Sequence, residues 1–225
     1  MNAGPHRHFH DELARLKESV LFMSGRAEDS LSRAVEAFLA GNALAAQAVV
    51  DADPEIDSLE VEIEETVTNL LALHQPVAKD LRLVLSALKI SNDLERVADH
   101  AVNIAKAAER ISHLAVRTPD PQLVEMTRLG REMLATALRA FVKGDGQAAR
   151  HVCAQDDEVD ALHRSLFQLL MTRMAEQPEA IDYSMELMLV SRNIERVGDM
   201  ATNIAEEVVY LVEGTTIKHG AEKKG

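Results

Sequence analysis

The amino-acid sequence predicts an all-α protein: two tandem antiparallel three-helix bundles, with six long helices and an internal repeat. Apolar residues recur at steps of three and four through most of the chain, which is the spacing of one face of an α-helix. The composition is 47% hydrophobic but only 3% aromatic and lacks Trp, which suits closely packed helices of small aliphatic residues. Residues 92–105 also return as residues 192–205, with eight amino acids repeated in the same register.

The first copy of the repeat is predicted to span residues 8–113. Its three helices are predicted over residues 11–40, 43–73 and 77–113. The first helix ends at Gly41, because glycine is common just after the last helical residue. The second helix is predicted to break at Asp53-Pro54, since Pro fits the first turn of a helix and Asp is a good N-cap. The turn Gln75-Pro76 leads into the third helix.

The second copy is predicted to span residues 122–213, after a linker at residues 114–121 that contains two prolines. Its helices are predicted over residues 123–141, 147–174 and 181–212. The turn Gln177-Pro178 between the last two helices repeats the turn Gln75-Pro76 of the first copy. The charged tail, residues 214–225, is expected to be disordered.

The positions predicted to face the core follow the helical period. In the first helix they are Leu13, Leu16, Val20, Met23, Ala27, Leu31, Ala34 and Phe38. In the second they are Ile56, Leu59, Ile63, Val67, Leu70 and Leu71. In the third they are Val84, Ala87, Ser91, Leu94, Val97, Ala101, Ile104, Ala108 and Ile111. In the sixth they are Leu187, Val190, Ile194, Val197, Ala201, Ile204, Val208 and Leu211.

The bulk composition excludes several classes of function. The net charge of −13 argues against nucleic acid as a partner, because phosphate contacts need clustered Lys and Arg. It also argues against direct attachment to an anionic membrane. No apolar run approaches the ~20 residues of a transmembrane helix, and the first ten residues lack the apolar core of a signal peptide. Cys153 is the single cysteine, so no intrachain disulfide can form, and the protein is predicted to be cytoplasmic.

Both copies carry the pattern Glu-x-x-x-Asp-x-x-x-Asn. A spacing of four places these side chains on one face of a helix, one turn apart. The resulting ladders of oxygen atoms are Glu95, Asp99 and Asn103 in the first copy and Glu195, Asp199 and Asn203 in the second.

Counting residues from each turn places a second acidic pair opposite each ladder. Asp57 lies about as far before the turn Gln75-Pro76 as Glu95 lies after it, so a rise of ~1.5 Å per residue brings both to the same height. The predicted metal ligands are Asp53, Asp57, Glu95 and Asp99 in the first copy, and Asp156, Asp160, Glu195 and Asp199 in the second. Further candidate ligands are Glu28, Asp29, Glu132, Asn103 and Asn203.

Carboxylates at one height repel each other, by ~4 kcal/mol for two charges 4 Å apart at an effective dielectric of 20. Protonation, arginine or a metal ion can relieve this repulsion. Arg96 and Arg196 lie inside the motifs, but they point about 100° away from the preceding Glu. Ligands that are all oxygen suit Mg, Mn, Ca or Fe ions. A solvated acidic stripe would explain a single motif, whereas two copies in register favour metal binding.

The histidines give no comparable pattern. The chain has no Glu-x-x-His of a ferritin-like di-iron centre, and no phosphate loop, nucleophile elbow or Cys-His pair. His6, His8 and His10 could grip a metal, but a solvated terminus is the simpler interpretation. His74 has no matched partner in the second copy and is interpreted as an ordinary side chain.

At these motifs the chain resembles the PhoU family of phosphate-signalling proteins. The resemblance extends over residues 8–213 and is specific through the combination of four stretches, residues 57–60, 75–82, 88–105 and 193–205. It implies two three-helix bundles in tandem, with multinuclear clusters of iron, manganese, zinc or magnesium at the Glu/Asp-x-x-x-Asp motifs. Residues 178–182 lack the Asp-Leu-Arg sequence of residues 80–82, so Asp80 and Arg82 are not expected to belong to a symmetrical site.

The resemblance also implies a function. Such proteins are negative regulators, commonly dimers, that link the ATPase subunit of the high-affinity phosphate ABC transporter to a membrane sensor histidine kinase. The chain is therefore expected to be a non-enzymatic homodimer that reaches the membrane only through these partners. Two alternatives stay open: a metal-dependent redox or hydrolytic enzyme that uses the same carboxylates, and a structural adaptor without metal.

Overall fold

Six long α-helices account for almost all of residues 5–114, 118 and 120–217, which are the residues that this computed structural model describes. The helices are α1 Pro5–Ala40, α2 Ala43–His74, α3 Ala78–Ile111, α4 Pro121–Lys143, α5 Gly146–Glu176 and α6 Ile181–Glu213, with a short 3-10 turn at Pro178–Ala180 before α6. The predicted fold class is confirmed. Within the described residues, no helix is both long and apolar enough to span a bilayer.

The predicted apolar stripes form the core. All eight positions predicted for α1 and all eight predicted for α6 are at most 7% exposed. The nine positions predicted for α3 are all buried as well. In α2 the prediction is right at four of six positions, since Leu59 and Leu71 pack at the margin of the core instead of inside it.

Helix α2 corrects the prediction of a break at Asp53-Pro54, because it continues unbroken from Ala43 to His74 with Pro54 inside it. A proline in a helix interior removes one hydrogen bond and crowds the preceding turn, which costs ~3 kcal/mol. Val49 and Ile56 on either side of it are 1% and 3% exposed and pack in the same core. Pro54 itself lies on the exposed face. Burial on both sides therefore holds the helix together across the proline.

The turns between the first two helices of each repeat are built alike. Gly41 and Gly144 adopt φ values of +59° and +65°, which glycine reaches without steric strain. The next residue caps the following helix: Asn42 Oδ1 accepts from Ala45 N–H at 3.1 Å. Asp145 Oδ1 does the same for the N–H of residue 148 at 2.9 Å. The internal repeat thus extends to the capping of the helices.

Helices α1, α2 and α3 form one antiparallel bundle, and α4, α5 and α6 form the other. Helices α3 and α6 lie at the centre, because each packs against both helices of its own bundle and also against the other. One continuous apolar core runs through both bundles. The predicted domain limits of 8–113 and 122–213 therefore stay a prediction. Of the predicted tail, residues 218–225 lie outside the described residues, as do 115–117 and 119 of the linker.

Polar contacts fix the register of α3 against α6. From one end of the crossing to the other, the pairs are Arg110 with Glu186 at 2.6 and 2.8 Å, His100 with Asn193 at 3.0 Å, Asp93 with Asn203 at 3.1 Å, and Lys89 with Glu207 at 3.0 and 3.2 Å. Only 2% of the Glu207 side chain is exposed, so the ammonium of Lys89 supplies the opposite charge that a buried carboxylate requires.

Candidate functional site

The first carboxylate cluster lies where α2 faces α3, and it contains the four acidic residues that the residue count places at one height. Burial and the neighbouring carboxylates together raise the pKa of Glu95 to about 7. Burial contributes most, followed by the charges of Asp99, Glu60, Asp57 and Asp53. Burial, and then the charges of Asp57 and Asp99, also raises the pKa of Asp53. The fold thus gathers negative charge here that is incompletely compensated.

Glu60 also belongs to this cluster, although it was not among the predicted ligands. Burial, and then the charges of Glu64 and Asp57, raises the pKa of Glu60. It lies three residues after Asp57 on the same face of α2, so the spacing Asp57-x-x-Glu60 is the signal that could have found it. The aligned position in the second repeat is His163, whose Nδ1 lies 3.2 Å from the hydroxyl of Ser191.

The second cluster lies where α5 faces α6 and contains Asp156, Asp160, Glu195 and Asp199. Burial, and then the charges of Asp199 and Asp160, raises the pKa of Asp156 to about 6. Burial and the charge of Asp199 raise the pKa of Glu195, while Arg196 opposes the rise. The second repeat therefore reproduces the arrangement of the first, with more positive charge around it.

The prediction that the arginines of the motifs point away from the carboxylates is wrong for Arg196. Its Nη1 donates to Asp199 Oδ2 at 2.8 Å, and its Nε lies 3.5 Å from Glu195 Oε2. Arg96, at the matching position, instead lies 3.8 Å from Asp93, one turn back along α3. The second repeat has the neutral Asn193 at the position of Asp93, so Arg196 has no carboxylate there and turns forward into the cluster.

The further candidate ligands lie elsewhere. Glu28 and Glu132 line a groove of about 490 Å³ between α1 and α4, where Glu132 accepts from Arg128 at 2.7 Å. Asp29 is exposed and lies 3.5 Å from Arg33. Glu28 and Glu132 thus face each other across the groove between α1 and α4, and their role as metal ligands stays a prediction.

The two asparagines of the motifs have different surroundings. Asn103 is exposed on α3. Asn203 donates from Nδ2 to Asp93 Oδ1 at 3.1 Å, across the contact between α3 and α6. This contact directs its side chain to the neighbouring helix and away from the ladder of Glu195 and Asp199. The spacing of four residues places Asn203 one turn beyond Asp199, but it does not predict the contact with Asp93.

The chemistry of both clusters fits a hard cation. Every side chain offered is a carboxylate, and oxygen ligands are those that Mg²⁺, Mn²⁺ and iron prefer. Within the described residues, neither cluster has three carboxylate oxygens from different side chains within 4.8 Å of one another. A bound ion would therefore have to draw the side chains inward by changing their rotamers, and their partial exposure leaves room for such movement.

Comparison with known proteins identifies relatives over most of the chain. The model of the PhoU domain matches twice, at residues 20–108 and 123–208. A phosphate-specific transport system accessory protein PhoU homolog from Zymomonas mobilis is 39% identical over 206 residues, which is 92% of this chain and 87% of that protein. The homolog of the same name from Aquifex aeolicus is 37% identical over 92% of this chain and 94% of that protein.

Two solved structures of PhoU proteins are also similar to this chain. The crystal structure of PhoU from Pseudomonas aeruginosa superimposes with a TM-score of 0.89 at 34% identity, covering 92% of this chain and all of that one. The phosphate transport system regulatory protein PhoU from Streptococcus pneumoniae gives a TM-score of 0.86 at 30% identity, covering 92% and 98%. The similarity in sequence and in the arrangement of the helices therefore extends over nearly the whole length of these proteins.

Proposed function

Because the chain belongs to the PhoU family, we propose that it is an accessory protein of a phosphate-specific transport system that binds metal ions at its two carboxylate clusters. The proposal that the clusters bind metal ions rests on one observation. Acidic side chains from two helices meet in each repeat, and burial together with mutual repulsion raises the pKa of Glu95 and of Asp156. Charge collected in this way in both repeats is most simply neutralised by cations.

The role we propose is negative regulation of phosphate uptake and of the response to phosphate starvation. The protein would act in the cytoplasm as a homodimer, by contacts with the transporter ATPase and with a sensor histidine kinase. The curated relatives are named as accessory proteins of the transport system, which supports a regulatory role over a catalytic one. The strongly negative net charge of −13 fits partners with basic surfaces.

The ligands we propose are the four carboxylates of each cluster, with Glu60 added in the first. A bound Mn²⁺, Mg²⁺, Zn²⁺ or iron ion would supply positive charge and cross-link the two helices that face each other. The carboxylates must be ionised to bind it, so protons compete with the metal near pH 7 in the first cluster. Metal binding would thus stabilise the pairing of α2 with α3 and of α5 with α6.

Elemental analysis of the purified protein is the direct test of metal binding. Wild-type protein loaded with Mn²⁺ and then desalted should retain metal, and the double variant Glu95→Gln, Glu195→Gln should lose most of it. The matched control is Glu65→Gln with Glu158→Gln, which removes the same charge from exposed positions of α2 and α5. Equal retention in both double variants, or no metal in any of the three proteins, would reject the assignment.

The regulatory role needs a separate test. Deletion of the gene should derepress phosphate uptake in phosphate-replete cells, and the wild-type gene should restore repression. The purified protein should retain the transporter ATPase and the cytoplasmic part of the kinase in a pull-down. Normal phosphate control after deletion, together with failure to retain either partner, would count decisively against the proposed role.

One observation favours the enzymatic alternative. A carboxylate with a pKa near 7 in a polar cluster has the properties of a general base. If the protein were a metal-dependent oxidase or hydrolase, it would turn over oxygen or a phosphoester, and Glu95→Gln would abolish that turnover. Metal-loaded protein that shows no turnover on either substrate would leave the regulatory role as the better explanation.

A further inference from the structure

A second kind of ligand set lies where the start of α1 meets the end of α2. Ligand atoms of His8, Glu12 and His74 all lie within 4.8 Å of one another. His74 Nε2 is 2.7 Å from Glu12 Oε2, and His8 Nδ1 is 3.3 Å from Glu12 Oε1. Among the described residues, this is the only group of three His, Cys, Asp or Glu side chains that is so compact.

The fold brings the three side chains together for identifiable reasons. His8 and Glu12 are four residues apart on α1, so they lie on one face, one turn from each other. His74 is the last residue of α2, which stops there because Gln75 takes a left-handed conformation with φ +45° and precedes Pro76. The His74 ring also lies 5.1 Å from the ring of Phe9, which restricts its orientation.

We propose that these three residues bind a transition-metal ion such as Zn²⁺, at a site independent of the two carboxylate clusters. Two imidazoles and one carboxylate are a common zinc ligand set, and a water molecule completes the tetrahedron in sites with three protein ligands. Nitrogen ligands select zinc, copper or nickel over Mg²⁺. The carboxylate clusters offer only oxygen ligands, so this site differs from them in the type of its ligands.

The geometry is close to what the ion requires. Tetrahedral zinc with bonds of ~2.0–2.1 Å separates its ligand atoms by about 3.3 Å. His8 and His74 contact different oxygens of Glu12, at 3.3 and 2.7 Å, and one ligand atom from each of the three residues lies within 4.8 Å of the others. Rotation of these side chains would have to bring the three ligand atoms to the tetrahedral spacing around one ion. The side chains of Glu12 and His74 are only 28% and 22% exposed, whereas that of His8 is 66% exposed. Two ligands are thus held in place, and the third can close over an ion that enters from solvent.

A metal ion at this site would connect the start of α1 to the end of α2. Leu13, next to Glu12, is buried, so α1 is anchored in the core from that point onward. The turn before it is joined to α2 by the contacts to His74. A metal ion would replace hydrogen bonds by coordinate bonds and fix the first turns of α1 to the end of α2.

The test uses the full-length protein and Co²⁺ as a visible probe for Zn²⁺. Co²⁺ with nitrogen ligands in a four-coordinate site absorbs strongly in the visible, whereas six-coordinate Co²⁺ with oxygen ligands absorbs weakly. Wild-type protein should show the strong bands at one equivalent, and Zn²⁺ should displace them. Calorimetric titration should give Zn²⁺ binding that is weaker in His74→Gln and in His8→Gln by at least about tenfold, since loss of even an outer-shell partner costs 10–100-fold.

Two controls make the outcome decisive. His151→Gln removes an exposed histidine from α5 and should bind Zn²⁺ like the wild type. The double variant Glu95→Gln, Glu195→Gln should keep the Co²⁺ bands, so failure of the carboxylate clusters and failure of this site are distinguishable. Gln at position 74 can still donate to Glu12, so unchanged thermal unfolding without metal would show that the variant is folded. Absence of the bands in the wild type, or equal Zn²⁺ affinity in wild type and His74→Gln, would overturn the proposal and leave only histidine–carboxylate hydrogen bonds.

Discussion

The two repeats carry the same motif, Glu-Arg-Val-x-Asp, but they surround it with different charges. In the first, Arg96 turns back to Asp93, Glu60 adds a fifth carboxylate, and the pKa of Glu95 rises to about 7. In the second, Arg196 bridges Glu195 and Asp199, and Asp160 lies 3.3 Å from Arg164. His163 stands where the first repeat has Glu60.

This difference shows that a motif fixes the positions of charges but not their balance. Two residues before the motif, the first repeat has Asp93, which lies 3.8 Å from Arg96, whereas the second repeat has the neutral Asn193. The first repeat therefore has the stronger demand for an external cation, and the second supplies part of the compensation itself.

The largest effect is expected from exchanging the proline between the second helices of the repeats. Asp157 aligns with Pro54 and is likewise exposed within a continuous helix. Asp157→Pro should lower the free energy of unfolding by about 3 kcal/mol, because α5 loses a hydrogen bond and gains a steric clash. Urea unfolding followed by circular dichroism measures the change, with Asp157→Ala as the control.

The reverse exchange, Pro54→Ala, should raise the free energy of unfolding by about 1 kcal/mol or more. If Asp157→Pro does not change the stability, both repeats tolerate a proline inside the second helix equally, and the packing around Pro54 is not special.

The second-largest effect is expected on the Mn²⁺ affinity of the two carboxylate clusters. Glu95→Gln removes the most strongly perturbed carboxylate of the less compensated cluster, and we expect Mn²⁺ at that cluster to bind about 100-fold more weakly, equivalent to about 2.8 kcal/mol. Glu195→Gln should weaken the second cluster by only about tenfold, because Arg196 already neutralises part of its charge. Calorimetry on the two single variants measures both. Equal losses in the two variants would contradict the ranking of the clusters.

The stability of the metal-free protein should depend on pH through Glu95. Its pKa is raised to about 7 in the folded state from an ordinary value of 4.5, so the folded protein binds more protons than the unfolded chain between these limits. Stability from this group is therefore fully present below pH 4.5 and is lost as the pH rises through 7. The loss should be on the order of 1 kcal/mol, because solvent screens a partly exposed group. Comparing thermal unfolding at pH 5 and pH 8 in wild type and Glu95→Gln isolates the effect. An equal pH dependence in both proteins would assign it to other groups.

The smallest predicted effect tests the reason for the asymmetry directly. Asp93→Asn gives the first repeat the residue that the second has at this position. Arg96 should then turn toward Asp99, as Arg196 turns toward Asp199, and lower the pKa of Glu95 by the equivalent of about 0.5 kcal/mol. Carbon-13 NMR titration of the glutamate carboxyls measures this, and Asp57→Asn serves as a comparison that lowers the same pKa by removing a negative charge. An unchanged pKa in Asp93→Asn would mean that Arg96 is directed by something other than Asp93.

The amino-acid sequence alone was sufficient to predict the six helices and most of their buried positions, although it wrongly predicted a break at Asp53-Pro54. Steps of three and four assign a residue to a helix face without knowledge of its neighbours, and Val84, Leu94 and Ile104 are buried as that rule predicts. A rise of 1.5 Å per residue likewise sets Asp57 level with Glu95 once the turn is known. These properties are local, because each depends only on the geometry of one helix or one hairpin.

The tertiary structure alone decided which side chains meet around each helix. Glu28 and Glu132 line the groove between α1 and α4, and Asn203 contacts Asp93 on another helix. The contact of His74 with Glu12 joins residues 62 positions apart, which no spacing within a helix can indicate. The rotation of each helix and the partner of each arginine follow from the packing of whole bundles and from the charges nearby, and these are set only when the complete chain has folded.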